Sequence, residues 1–369
     1  MKILTVFGTR PEAIKMCPLV LEIKKHKEIK CQVCLTGQHR EMLRQVMETF
    51  KIQEDYNLDI MRECQTLTTI TTNVLQKIDS VLRDAKPDIV LVHGDTTTSF
   101  AAALAAFYQQ IPVGHVEAGL RTGNIYSPYP EEMNRLLTSR IATYHFAPTK
   151  RNEENLREEN IRNNIFITGN TVIDAFQTTV KADYKFNNPV LQKIDYINHR
   201  VVVVTAHRRE NLGEPLRQIC WAIRRLTELY SDIKIVYPVH LNPAVREIVY
   251  HILYNNSQVE LLDPLDVLDM HNLIARSFLV MTDSGGLQEE APSFGKPVLV
   301  MRTETERPEA VEAGTVKVVG VKEEDIFILA NELLSNSEKY SQMAKAVNPY
   351  GDGHASERIA KILLSSKTD

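Results

Sequence analysis

The chain has 369 residues, of which 43% are hydrophobic and 24% charged, with 43 Lys and Arg against 47 Asp and Glu. That length exceeds what one hydrophobic core usually serves, so two domains are expected. The net charge of -4 lacks the basic footprint of a nucleic-acid binder, but it leaves room for a local anion pocket.

The opening MKILTVFGTRPE has one Lys and an apolar run that stops at Gly8, unlike a secretory signal. No stretch approaches the roughly 18 apolar residues of a membrane span. A cytoplasmic protein without membrane contact is expected. The five cysteines are Cys17, Cys31, Cys34, Cys64 and Cys220, an odd count that argues against a disulfide framework. Cys31 and Cys34 form a C-x-x-C that reads as part of an alternating strand, and no second pair stands nearby to complete a zinc site.

In chain order, apolar β-branched runs at 3–6, 31–35, 89–92 and 112–116 are predicted as strands, followed by 201–205, 234–239, 259–262, 278–282 and 297–301. Helical segments at 99–110, 131–142, 214–230 and 286–294 separate several of them. Strands buried on both faces and joined by helical crossovers make parallel sheets. The pattern occurs twice, so the expected class is α/β with two doubly wound Rossmann-like domains. The domains are placed at 1–170 and 171–354, with a final helix, 355–369, packing back on the first. The polar stretch 180–200 reads as linker plus docking helix.

The strand ends carry the chemistry. In a right-handed βαβ unit, Asp95 and Glu117 emerge at the same carboxyl edge, where open α/β sheets bind ligands. Asp95 alternatively caps the helix at 99. Glu131, one loop after Glu117, can reach the same region, although acids also suit a helix start. Arg10 and Lys15, in the helix that Pro11 opens after Gly8, form a candidate anion site. His207, beside Arg208 after the 201–205 strand, is a candidate acid or base or a phosphate contact.

After the 278–282 strand, Ser284, Gly285 and Gly286 bare backbone N–H groups for a pyrophosphate. Glu290, one helical turn later, can take both hydroxyls of a ribose, and Arg302 and Arg307 add positive charge. The pattern implies a nucleoside diphosphate held by the second domain, with its reactive end toward the acids of the first. The chain contains no G-x-G-x-x-G after a strand, no G-x-x-x-x-G-K and no D-x-D pair. A dinucleotide redox cofactor is therefore unsupported, and neither a cofactor nor a metal is expected.

Taken together, VFGTRPEAIKM, TGQHREML, HGDTTTSFAAALAAF, HVEAGLRT, YSPYPEEMNR, GNTVIDA, TAHRRENLGEPL and DSGGLQEEAPSFGKPVLVMRTETERPE resemble the non-hydrolysing UDP-N-acetylglucosamine 2-epimerases of bacteria across essentially the whole chain. The resemblance implies a two-domain fold like that of B-type glycosyltransferases, with the ligand in an interdomain cleft. It implies a homodimer that interconverts UDP-GlcNAc and UDP-ManNAc for surface polysaccharides, by eliminating UDP to 2-acetamidoglucal and adding it back.

By motif, Asp95, Glu117, Glu131 and His207 are the implied acid/base set, with the abstracting group in each direction left open. Arg10, Lys15, His207, Ser284, Gly285, Gly286, Glu290 and Arg307 are the implied UDP-binding set. Gln38, His39, Glu41, Arg208 and His240 match a second, activating UDP-GlcNAc site of some members. Two positions depart from regulated members: Cys64 stands where a basic residue is expected, and Glu41 replaces an amide. A hydrolysing epimerase and a UDP-sugar glycosyltransferase share the fold and remain alternatives.

Overall fold

The computed structural model describes residues 1–37, 40–61 and 65–365, with the backbone but not the side chains of 40–42. The chain forms two compact units, Met1–Thr178 with Tyr350–Asp369, and Thr179–Pro349.

The first unit is built on a seven-stranded parallel sheet. Its strands are β1 (Lys2–Phe7), β2 (Lys30–Leu35), β3 (Tyr56–Asn57), β4 (Ile89–His93), β5 (Val113–Val116), β6 (Tyr144–Ala147) and β7 (Ile165–Ile167). Their order is β3-β2-β1-β4-β5-β6-β7. Runs such as Ile89–His93 are buried at every position because crossover helices cover both faces. The small residues Ala101, Ala102, Ala103, Ala105 and Ala106 let the helix Thr97–Tyr108 pack closely in the core beneath β4. The last helix, Ala355–Ser365, packs on the helix Arg10–Lys24 of this unit. Asp174 caps it by accepting from the backbone N–H of Ala355 (3.2 Å) and Ser356 (2.7 Å).

The second unit carries a six-stranded parallel sheet of β8 (Arg200–Thr205), β9 (Ile233–Pro238), β10 (Val259–Leu262), β11 (Leu279–Thr282), β12 (Val298–Val300) and β13 (Val316–Val318). Their order is β10-β9-β8-β11-β12-β13. The docking segment expected at 180–200 holds a short helix, Pro189–Lys193. Asp269 fastens this segment by accepting from Tyr184 Oη and from the backbone N–H of Asn187 and Asn188, each at 2.8 Å.

In both sheets the strand order reverses once, between β1 and β4 and between β8 and β11. Connections diverge to opposite faces there and leave an open carboxyl edge. Strands β3, β6, β7 and β13 were not among the predicted runs; β3 has two residues, β6 is broken by Tyr144 and His145, and β13 by Lys317. Cys31 and Cys34 lie buried within β2, and burial pushes both thiols up to about 12, so the C-x-x-C is an inert stretch of strand. No helix among the described residues is long and apolar enough to cross a membrane.

Candidate functional site

At the first unit's switch point, the β1 turn and the β4 turn are joined by one buried carboxylate, Glu12. Thr9 and Glu12 form a capping box at the start of the helix Arg10–Lys24. Glu12 Oε2 accepts from the N–H of Gly8 (2.9 Å) and Thr9 (2.7 Å). Its Oε1 accepts from Thr96 Oγ1 (2.6 Å) and Ser99 Oγ (2.8 Å), at the start of the helix after β4. Gly8 has no alternative, because a Cβ there would stand 1.7 Å from Thr36 Oγ1. Arg10 and Lys15 therefore project from a helix whose first turn is locked to the loop carrying Asp95.

Thr96, not Asp95, is the N-cap of the helix Thr97–Tyr108. Asp95 is thereby free of capping, and its Oδ2 accepts from Arg135 Nη2 at 2.5 Å. Asn134 Nδ2 donates to the Asp95 carbonyl at 2.9 Å. The Asp95 side chain keeps 30% of its exposure. Desolvation raises its carboxyl above the ordinary aspartate range, an effect that Arg135 opposes and the charge of Glu117 reinforces.

Glu117, directly after β5, holds a backbone φ of 62°, a left-handed conformation that side chains other than glycine seldom adopt. Its Oε2 is gripped by the Lys15 ammonium, by Asn170 Nδ2 at 3.0 Å and by His93 Nε2 at 3.4 Å. Burial alone would raise this carboxyl. Lys15 and then His93 outweigh burial and hold it well below the usual glutamate range. His115, on the same strand, donates from Nε2 to the Gly94 carbonyl at 2.7 Å. Burial lowers its pKa to about 3, so it is a neutral strut.

Glu131 starts the helix Glu131–Ile141 and is partly exposed, with no hydrogen bond or ion pair among the described residues. Its neighbour Glu132 is buried and latches the preceding loop, accepting from the N–H of Thr122 (3.0 Å) and Gly123 (3.1 Å).

At the second unit's switch point, Asp283 plays the part that Glu12 plays in the first. It is fully buried after β11, and its Oδ2 accepts from the N–H of His207 (2.7 Å), the N–H of Arg208 (2.7 Å) and Asn211 Nδ2 (3.0 Å). This fixes the loop after β8. The His207 ring stacks on His240 with centroids 4.9 Å apart. Desolvation lowers the His207 pKa; Asp283 opposes that shift, and His240 and Arg208 add to it.

Beside this loop lie Ser284 and the short helix Gly285–Glu290. A Cβ on Gly285 would lie 3.6 Å from Arg307 Nη2 and 3.8 Å from Arg208 Nη2, so two guanidinium groups flank the bare backbone. Arg307 is anchored by Glu289, and Arg302 by Glu210 at 2.8 Å. The Glu290 carboxylate folds back over the start of its helix, its Oε1 3.2 Å from where a Gly286 Cβ would stand. Its Oε2 faces His271 Nε2 at 3.7 Å.

Each unit thus gathers its own predicted residues: Arg10, Lys15, Asp95 and Glu117 in the first, and His207, Ser284, Gly285, Gly286, Glu290 and Arg307 in the second. Arg208 and His240 adjoin His207. Gln38, His39, the side chain of Glu41 and Cys64 lie outside the described residues. Glu12, His93, Arg135, Asn170, Asp283 and His271 escaped sequence reasoning. Each stands within three residues of a strand end or inside a helix, and only its partners mark it. Among the described residues no cluster of His, Cys, Asp and Glu could hold a metal ion.

The family model described as UDP-N-acetylglucosamine 2-epimerase matches residues 21–364. The UDP-N-acetylglucosamine 2-epimerase of Bacillus subtilis is 56% identical over 365 residues, covering 99% of this chain and 95% of that protein. The crystal structure of the Neisseria meningitidis UDP-GlcNAc 2-epimerase bound to UDP-GlcNAc is 50% identical, with a TM-score of 0.91, covering 99% of this chain and 100% of that one. That of the Methanocaldococcus jannaschii enzyme in complex with UDP-GlcNAc and UDP is 34% identical, with a TM-score of 0.83 and the same coverage.

Proposed function

This chain belongs to the UDP-N-acetylglucosamine 2-epimerase family, and we propose that it interconverts UDP-GlcNAc and UDP-ManNAc by eliminating UDP and adding it back. The observation that carries the assignment of roles is the opposite displacement of two carboxyls at neighbouring strand ends. Asp95 is raised and Glu117 is held far down. Carboxyls whose environments push them apart take different tasks.

Asp95, raised and still partly exposed, is the group suited to exchange a proton with C2. Glu117 stays an anion that orders Lys15 and His93. In the forward direction the C2–H bond breaks to a carboxylate, its electron pair forms C1=C2, and the C1–O bond breaks with UDP taking the electrons. The product is 2-acetamidoglucal. A proton delivered to the other face of C2, with UDP oxygen returning to C1, completes the inversion.

Cations must stabilise the departing diphosphate. Arg307 and Arg208 beside Gly285 are suited to this, with Glu290 taking the ribose. The relatives crystallised with UDP-GlcNAc and UDP support the ligand class.

Proton NMR of the protein with UDP-GlcNAc in D2O, with no cofactor added, tests the reading. Deuterium should enter C2 while a manno epimer of the UDP-sugar accumulates. Accumulation of free ManNAc and UDP would instead mark a hydrolysing enzyme. A C2 that stays protonated without turnover would remove the epimerase assignment.

A further inference from the structure

The second unit contains a buried histidine that the reaction above does not use. His271 is 2% exposed, in the helix Val267–Arg276. Its Nδ1 lies 2.8 Å from Thr179 Oγ1, and its Nε2 lies 3.7 Å from Glu290 Oε2. Nε2 is thus the ring nitrogen turned to the carboxylate, within ion-pair range, while Nδ1 shares a hydrogen with the Thr179 hydroxyl.

Thr179 is itself held, because Asn272 Nδ2 donates to its carbonyl at 2.7 Å. The helix bearing His271 is fixed by its Asp266 cap and by the bonds from Asp269 to residues 184–188. Glu290, in contrast, ends a helix of six residues and has its Oε1 turned toward Gly286.

We propose that His271 is a positioning residue. It holds the Glu290 carboxylate in the orientation that accepts the ribose hydroxyls, and so sets the preference of the site for a ribonucleotide over a 2′-deoxyribonucleotide. The inference rests on the assignment of Glu290 to the ribose. A site built to bond a hydroxyl rejects the analogue lacking it, because the site's own polar group is left unpaired. That rejection depends on the carboxylate being unable to swing away, and Thr179–His271 supplies the restraint.

Titration calorimetry of the full chain with UDP and with 2′-deoxy-UDP tests this. The wild type should prefer UDP by about tenfold or more. His271→Phe should weaken UDP and leave 2′-deoxy-UDP unchanged, bringing the ratio to within about twofold, and His271→Gln should restore part of it. Thr179→Val, close to isosteric, should lower the ratio about threefold and serves if the phenylalanine variant does not fold. Equal weakening of both nucleotides, or an unchanged ratio, would reduce His271 to a packing role. Glu290→Gln separates the two claims. If it abolishes the preference while His271→Phe retains it, only the positioning role falls; if it retains the preference, the ribose assignment falls and the inference with it.

Discussion

The Lys15 ammonium sits directly on the Glu117 carboxylate, although 102 residues separate them. A lysine that sequence alone would assign to phosphate is in this structure the counter-ion of a strand-end acid. Both side chains are largely buried, at 12% and 9% exposure, so water screens the pair little. The pairing explains how Glu117 remains ionised after β5.

Replacing Lys15 by Met should strand the Glu117 charge and cost about 3 kcal/mol at neutral pH, the usual scale for breaking a buried pair. A carboxyl depressed in the folded state contributes stability above its unfolded value, near 4.3, and loses it as pH falls through the folded value. The melting temperatures of wild type and Lys15→Met should therefore differ most at neutral pH and converge as pH falls below about 4. A difference that is constant from pH 3 to 8 would contradict the pairing.

Asp95→Asn should lower kcat by a factor of hundreds or more, on the scale of removing a general acid or base, with UDP affinity unchanged within about threefold. Arg135 keeps a second acid, Glu132 Oε2 at 3.3 Å, so the fold should survive. Because burial raises Asp95, the acid limb of the wild-type rate profile should lie above the ordinary aspartate range. A few-fold loss of kcat would reduce Asp95 to a partner of Arg135.

Asp283→Asn replaces an acceptor of three donors with a group that is half donor. It should weaken UDP binding by about tenfold by releasing the backbone of His207 and Arg208, and destabilise the second unit by about 1–3 kcal/mol. Calorimetry with UDP and a urea titration would measure the two effects. Unchanged UDP affinity would detach the loop after β8 from nucleotide binding.

Glu12→Ala leaves the donors of Gly8, Thr9, Thr96 and Ser99 without their common acceptor. Leaving buried donors unsatisfied costs about 1–3 kcal/mol each, offset where water enters, so a total near 3–5 kcal/mol is expected from the urea midpoint. Glu12→Gln should lose less, because its amide oxygen can still serve one pair of donors. A shift under about 1 kcal/mol in Glu12→Ala would mean that the two turns are held by other contacts.

Much of this architecture was legible in the residues themselves. Strands such as Ile89–His93 and Arg200–Thr205 announce themselves because burial on both faces demands unbroken apolar runs. Right-handed crossovers then put Asp95 and Glu117, and likewise His207 and Ser284, on common edges. The edge strands Ile165–Ile167 and Val316–Val318 were silent because neither is an unbroken buried run: the first is only partly buried and the second is interrupted by exposed Lys317. The sequence by itself thus determined which chemical groups stand at which strand ends, since strand direction follows from local pattern. Only the tertiary structure decided what those groups are. Whether a carboxyl is raised like Asp95 or depressed like Glu117 depends on Arg135, Lys15, His93 and Asn170, which lie tens of residues away along the chain. Over a few ångströms in a poorly hydrated interior, charge and hydrogen bonding govern protonation, and sequence distance carries no information about either.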